Sequence, residues 1–171
     1  GVRVARVETP HEADHRHQRG VAARHGLVLR QFPPPVPAAS EDALFEAWTS
    51  QVGPRTRVLS VQHVFFSTGA IQPVRRLAAW ARERGIITVV DGAHPPGMLA
   101  VDIQGLGCDF YASSPHKWLL APKGSGFLYI SPEWIDRLWP LIASGGWDDL
   151  ALKGDRFDHV GTRNDSLLVG F

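Results

Sequence analysis

The sequence predicts an α/β fold, a three-layer α/β/α arrangement around a mostly parallel sheet. Strand-like and helix-like patterns alternate along the chain, which is the order that right-handed crossovers between parallel strands produce. The run "IITVV", Ile86 to Val90, is continuous and β-branched, as in a strand covered on both faces. With 171 residues, the chain is long enough for one domain with a substantial core.

Six strands and three helices account for most of the pattern. Ser40 suits the N-cap of a helix whose apolar face includes Leu44, Phe45 and Trp48. Pro73 suits the first turn of the next helix, which Gly85 ends. Strands are predicted at 2–8, 26–32, 57–66, 86–90, 109–113 and 126–130, and helices at 41–52, 73–84 and from 132 onwards.

Both ends of the chain lie inside predicted elements. Gly1 leads directly into a strand pattern, and the final "NDSLLVGF" is typical of a helix that has only begun. We therefore expect residues 1–171 to be part of a larger chain.

Composition excludes several classes of protein. The apolar fraction is 44%, the charged fraction 20% and the net charge +1, so no overall field favours nucleic acid. One cysteine permits no internal disulfide and fits a reducing compartment. We find no apolar run of about 20 residues and no signal-peptide pattern. We expect a cytoplasmic protein that contacts neither nucleic acid nor membrane.

Two loops at strand ends carry the candidate chemistry. Asp91 follows the buried strand, and Ser113-Ser114-Pro115-His116-Lys117 follows the next one. Because ligands of parallel sheets bind beyond the carboxyl ends of the strands, the two loops can share one crevice. Asp91 can alternatively cap its own turn.

Lys117 stands before Trp118, Leu119 and Leu120, which predicts a lysine against an apolar wall. Such a lysine either extends its amine past the wall into water or becomes a nucleophile as it leaves water. Two ligands suit the set: a metal ion on Asp91, His94 and His116, or a phosphate-bearing aldehyde that forms a Schiff base with Lys117. A charged lysine is no metal ligand, which favours the aldehyde.

The stretch "VVDGAHPPGMLAVDIQGLGCDFYASSPHKWLLAPKGSGFLYI" resembles the class V aminotransferase family, enzymes of fold type I that use pyridoxal 5′-phosphate (PLP). Its second half most resembles the isopenicillin N epimerase-like branch. The segments before it, from Pro54, and the terminal "GTRND" are also similar to the family. The resemblance implies that residues 1–171 are the central part of a PLP-binding large domain, without its N-terminal segment and C-terminal small domain.

The resemblance also implies roles for individual residues. Lys117 would form the Schiff base with PLP and move the proton at the substrate Cα. Asp91 would pair with the pyridine nitrogen and keep it protonated, so that the ring can accept electrons. His94 would lie near the phenolic oxygen of the cofactor, and Ser114 and His116 would bind its phosphate.

Further family positions imply a partner subunit and an amino-acid substrate. Thr162 would reach the phosphate held by the neighbouring subunit of a homodimer or a complementing chain. His11 would stack on the cofactor ring, although His15 or His17 can equally be its counterpart.

Phe65 and Phe66 occupy the region where members often carry an asparagine. Two rival functions stay open, a non-catalytic subunit and a metal-dependent hydrolase that uses Asp91, His94 and His116. Cys108 is expected to be buried and unreactive. Trp134, Trp139 and Trp147 are expected in the core or at a subunit contact.

Overall fold

The computed structural model describes residues 3–7, 16–32, 35, 37–158 and 169, and its centre is one six-stranded sheet. The strands are β1 (Arg3–Val7), β2 (Val28–Phe32), β3 (Thr56–Gln62), β4 (Ile87–Asp91), β5 (Phe110–Ser113) and β6 (Phe127–Ile130). The helices are α1 (Arg16–Arg24), α2 (Glu41–Thr49), α3 (Val74–Arg82), α4 (Ile103–Leu106) and α5 (Pro132–Ile135).

The sheet has the order β2-β1-β3-β4-β5-β6, and only its last pair, β5 with β6, is antiparallel. Helix α3 packs on β4 and α1 on β2, and α2 and α4 contact α3. The predicted α/β fold with a mostly parallel sheet is therefore confirmed. Among the helices of the described residues, none is long and apolar enough to cross a membrane.

The predicted elements and the observed ones differ mainly at their ends. Ser40 caps α2 as expected, since its Oγ accepts the N–H of Ala43 at 3.1 Å. The strand predicted over 57–66 ends at Gln62, because the chain turns back and Val64 forms an isolated bridge with Ile71. The helix predicted at the end of the chain lies outside the described residues.

Two of the shortest elements, each of eight residues or fewer, were not predicted from the sequence. Helix α4 is a single turn that depends on its caps: Asp102 accepts the N–H of Gly105 at 2.9 Å, and Gly107 ends the turn in the left-handed region. A 3₁₀ helix spans Leu150–Phe157. Elements this short carry too few turns for a hydrophobic period, so sequence periodicity does not reveal them.

The core lies between the sheet and helices α2 and α3. Its largest members, Trp48, Leu59, Phe65 and Tyr111, are at most 1% exposed. Cys108 is also 1% exposed, and burial is the main cause that raises the pKa of its thiol to about 11. The prediction of a buried cysteine is confirmed, and the raised pKa agrees with low reactivity.

Strand register sets the position of the candidate site. Gln62, at the end of β3, pairs with Asp91, at the end of β4, which pairs with Ala112 on β5. The loops after these three strands therefore leave the sheet along one edge. This arrangement is the usual location for a ligand in an α/β sheet.

Candidate active site

A cleft of about 290 Å³ lies beyond the carboxyl ends of β3 and β4. Three of the predicted site residues line it, namely Asp91, His94 and Lys117. The other lining residues are Gln62, Val64, Phe66 and Ala93. The cleft thus combines a carboxylate, an imidazole and an amine with apolar surface, the mixture that small-molecule sites commonly show.

His94 is the centre of the polar contacts in this cleft. Its Nε2 lies 3.1 Å from Nζ of Lys117, and its Nδ1 accepts the indole N–H of Trp118 at 3.1 Å. The pKa of His94 is lowered, chiefly by burial and then by the charge of Lys117, while Asp91 opposes the shift. The imidazole is therefore favoured in its neutral form.

Asp91 caps the turn that follows it and leaves one carboxylate oxygen for a ligand. Its Oδ1 accepts the N–H of Ala93 at 3.0 Å, which is the cap that Asp-Gly sequences often form. Within the described residues, Oδ2 has no hydrogen bond, and the side chain is exposed. One carboxylate oxygen is therefore available to a cationic or donor group.

The predicted apolar wall around Lys117 is not formed by the described residues. Lys117 is exposed, and Trp118, Leu119 and Leu120 are 53%, 40% and 87% exposed. The chain folds into tight turns here, with the N–H of Lys117 on the Ser114 carbonyl at 3.0 Å. Leu120 adopts φ +57°, in the left-handed region. These turns keep the segment at the surface of the sheet edge.

The predicted phosphate ligands lie on the same loop but not in the lining of this cleft. His116 donates from Nδ1 to the carbonyl of Ser125 at 3.1 Å, because a carbonyl oxygen only accepts. Its Nε2 can donate to an anionic oxygen only when the ring is doubly protonated. Ser114 is half-buried. Their contact with a phosphate stays a prediction.

The remaining predicted cofactor residues cannot be placed. His11, His15 and Thr162 lie outside the described residues, as does the side chain of His17. Their roles toward a cofactor ring and a neighbouring subunit stay predictions.

The alternative metal site of Asp91, His94 and His116 is not formed. Among the described residues, no group of three histidine, cysteine, aspartate or glutamate side chains has a metal-binding arrangement. Both ring nitrogens of His94 face other partners, and His116 uses Nδ1 on a backbone carbonyl. The donor set therefore does not fit the predicted metal-dependent hydrolase.

A buried polar pair supports the cleft from below. Nδ1 of His63 lies 3.1 Å from the hydroxyl of Tyr111, and the backbone N–H of His63 donates to the carbonyl of Asp91 at 2.9 Å. A Cβ atom on Gly92 would lie 2.0 Å from the Tyr111 ring. Glycine at this position therefore allows the Asp91 loop to pack on the ring.

Two residues in or beside the cleft, Gln62 and Trp118, were not predicted as site residues from the sequence. Gln62 is 8% exposed, and its Oε1 has no hydrogen-bond partner among the described residues. Trp118 contacts His94 through its indole N–H. Gln62 lay inside the strand predicted over 57–66, so the sequence did not place it at a strand end. Nothing in the sequence indicated which atom Trp118 would contact.

A second cleft, of about 480 Å³, lies along β6 at the edge of the sheet. Its lining includes Phe127, Leu128 and Phe157 but no lysine or histidine. It is larger than the Asp91 cleft but lacks an amine or an imidazole, so the chemistry points to the Asp91 cleft.

The chain is similar to curated proteins over most of its length. It is 49% identical over 128 residues to isopenicillin N epimerase of Amycolatopsis lactamdurans and 47% identical to that of Streptomyces clavuligerus. These matches cover 74% and 75% of this chain and 32% of each relative. A probable cysteine desulfurase of Mycobacterium leprae is 33% identical over 142 residues. The chain thus spans about a third of the length of these relatives.

Solved structures share the fold. The apo cysteine desulfurase of Thermococcus onnurineus matches with a TM-score of 0.78 and 28% identity, over 99% of this chain and 43% of that one. A C-DES variant with glycine covalently linked to its PLP cofactor matches with a TM-score of 0.74 and 25% identity, over 95% of this chain and 45% of that one. The family model described as aminotransferase class-V matches residues 3–164. The chain belongs to the class-V aminotransferase family.

Proposed function

We propose that this chain is the central part of a PLP-dependent enzyme that acts at the Cα of an amino acid through a Schiff base on Lys117. The cofactor is pyridoxal 5′-phosphate. The observation that carries the proposal is the juxtaposition of Lys117, His94 and Asp91 in one cleft at the sheet edge. The amine of Lys117 suits the aldehyde of PLP. The neutral imidazole of His94 suits the phenolic oxygen of PLP, and the free carboxylate oxygen of Asp91 suits its protonated pyridine nitrogen.

When bound, PLP supplies an aldehyde that condenses with amines and a ring that withdraws electrons from the substrate Cα. The amine of Lys117 serves twice, first as the nucleophile and then as the base that moves the Cα proton. The carboxylate of Asp91 keeps the pyridine nitrogen protonated. The imidazole of His94 lies beside the amine, with its Nε2 3.1 Å from Nζ of Lys117.

Epimerisation is the reaction class that we propose first. The two isopenicillin N epimerases are more similar to this chain than two probable cysteine desulfurases are, at 49% and 47% against 33% and 40% identity. An epimerase removes a proton from Cα and returns one to the opposite face, so it needs acid–base groups and no catalytic thiol.

A homodimer and a cytoplasmic location stay predictions. The exposed apolar side chains Trp139 and Leu141, which are 64% and 104% exposed, support association with a further copy or segment.

Covalent labelling tests the proposal directly. The chain has three lysines, Lys117, Lys123 and Lys153, so a PLP-treated and borohydride-reduced sample gives few candidate peptides. Lys153 pairs with Asp136 at 3.0 Å, whereas Lys123 is exposed and provides the background rate of labelling. At equimolar PLP we expect Lys117 to be labelled about tenfold more than Lys123.

The matched variants are Lys117→Arg and Lys123→Arg. The first should abolish the main label and the second should leave it unchanged. Equal labelling of Lys117 and Lys123, or labelling of Lys153 instead, would contradict the proposal. A chain that takes up no PLP at all would favour the non-catalytic subunit.

A further inference from the structure

An unpaired hydrogen-bond acceptor lies at the end of β3, in the lining of the Asp91 cleft. Gln62 is 8% exposed, and its Oε1 has no partner among the described residues. A buried amide oxygen without a donor lowers the stability of the fold, because it has lost its water and gained nothing in exchange. Such an atom in the lining of a cleft points to a ligand that supplies the missing donor.

Strand register places this acceptor beside Asp91. Gln62 and Asp91 are partners in the parallel ladder between β3 and β4. Neighbouring strands lie about 4.8 Å apart, and residues that face each other in a ladder project from the same side of the sheet. The amide of Gln62 and the carboxylate of Asp91 therefore stand side by side in the lining of one cleft.

The two side chains together offer two vacant acceptor atoms. Oδ2 of Asp91 forms no hydrogen bond within the described residues, and Oε1 of Gln62 is in the same state. An amide oxygen and an ionised carboxylate accept hydrogen bonds and cannot donate them. A neutral and a charged acceptor in this arrangement suit one cationic N–H, which both oxygens share in a three-centre hydrogen bond.

We propose that Gln62 is a cofactor-binding residue whose Oε1 shares the N–H of the protonated pyridine ring with Asp91. This inference rests on the proposed function, which assigns the pyridine nitrogen to Asp91. The aldehyde and phosphate oxygens of PLP accept hydrogen bonds, whereas its protonated pyridine nitrogen donates one. Gln62 thereby favours the protonated ring and supplies part of the affinity for PLP.

Moving the carboxylate from β4 to β3 tests the shared position. Asp91→Asn removes the charge, and Gln62→Glu restores one on the neighbouring strand with the same number of heavy atoms. With ¹⁵N in the pyridine ring of PLP, the nitrogen chemical shift of the bound cofactor distinguishes a protonated ring from an unprotonated one. We expect a mostly unprotonated ring in Asp91→Asn and a mostly protonated ring when Gln62→Glu is added to it.

Ala112→Glu, also combined with Asp91→Asn, is the matched control. Ala112 is the ladder partner of Asp91 on β5, one strand away on the other side, and it is exposed and does not line the cleft. A carboxylate at this position changes the charge of the chain equally and should leave the ring unprotonated. A protonated ring in both double variants would show a general effect of charge and would overturn the inference.

Gln62→Glu buries an ionisable group, so Gln62→Leu in the otherwise unchanged chain provides a second test. Leucine removes the acceptor, and the affinity for PLP should fall about twofold to tenfold. Thermal unfolding without PLP shows which variants are folded.

A folded Gln62→Glu double variant with an unprotonated ring, or unchanged PLP affinity in Gln62→Leu, would overturn the inference. Failure of the proposed function would show differently, as a wild-type chain whose Lys117 takes up no PLP.

Discussion

Gly97 lies directly against the backbone of Trp118, and this contact joins the two loops of the candidate site. A Cβ at Gly97 would lie 2.6 Å from the carbonyl carbon of Trp118 and 2.7 Å from its oxygen. Gly97 also adopts φ +91°, where other residues are strained. Glycine is therefore needed at this position for both reasons, and the approach of His94 to Lys117 depends on it.

The first prediction separates these two reasons. Gly97→Ala should lower the capture of PLP by Lys117 about tenfold or more, because small displacements of reacting groups are costly. Gly124→Ala is the control, since Gly124 has the same φ of +91° but open space around its Cβ position. Both variants should lose about 1–2 kcal/mol of unfolding free energy from backbone strain, and Gly97→Ala should lose more because its Cβ meets the Trp118 backbone. Equal PLP capture by the two variants would contradict the role of the contact.

The Asp91→Asn variant distinguishes the role of Asp91 as a turn cap from its proposed role at the pyridine nitrogen. Asparagine keeps the Oδ1 that accepts the N–H of Ala93, so thermal unfolding should change little. If Asp91 holds the pyridine nitrogen protonated, exchange of the substrate Cα proton should fall by about two orders of magnitude or more. The exchange is measured by deuterium incorporation into the amino acid. Unchanged exchange would show that Asp91 only caps its turn.

Gln62→Leu tests whether the unpaired amide oxygen of Gln62 binds a ligand. A buried polar group without a partner destabilises the protein, so leucine should keep or raise the unfolding free energy. PLP affinity should fall about twofold to tenfold if the amide hydrogen-bonds to the cofactor. Gln72→Leu is the comparison, because Gln72 also has one buried amide atom without a partner, its Nε2, but its Oε1 accepts the Trp48 indole N–H at 3.0 Å.

The Gln72→Leu variant should lose about 1–3 kcal/mol, since it leaves the Trp48 donor unpaired. If Gln62→Leu lost as much stability and kept its PLP affinity, Gln62 would be a structural residue.

The buried His63 predicts acid sensitivity. Burial lowers the pKa of His63 below its ordinary value of 6.5, so the unfolded chain binds a proton more readily than the folded one. The stabilisation is present above about pH 6.5 and is lost as the pH falls through the lowered pKa. Urea unfolding between pH 8 and pH 5 should therefore show falling stability, and His63→Asn should flatten this dependence.

His94 also contributes to the loss of stability between pH 8 and pH 5, because its pKa is also lowered. His94→Gln should remove a smaller part of the pH dependence, since His94 is less buried than His63. A wild-type chain with constant stability between pH 8 and pH 5 would contradict both assignments.

The sequence by itself determined the sheet and the type of chemistry. The β-branched run before Asp91 identified β4. The apolar residues at helical spacing identified α3, and the apolar run before Phe66 identified β3, because burial on one or both faces imposes such patterns on a chain. The motif around Lys117 identified the family and the amine. It did not determine the surroundings of that amine, and the predicted apolar wall is in fact exposed surface.

Only the tertiary structure decided which side chains meet. Trp118 contacts His94, and Gly97 lies against the Trp118 backbone, so the loops after β4 and β5 meet. The unpaired Oε1 of Gln62 lies beside them, at the end of β3. Local periodicity carries no information on such contacts, because they depend on strand register and on loop turns that short polar segments encode weakly. The contact between Trp118 and His94 joins residues that are 24 positions apart in the sequence.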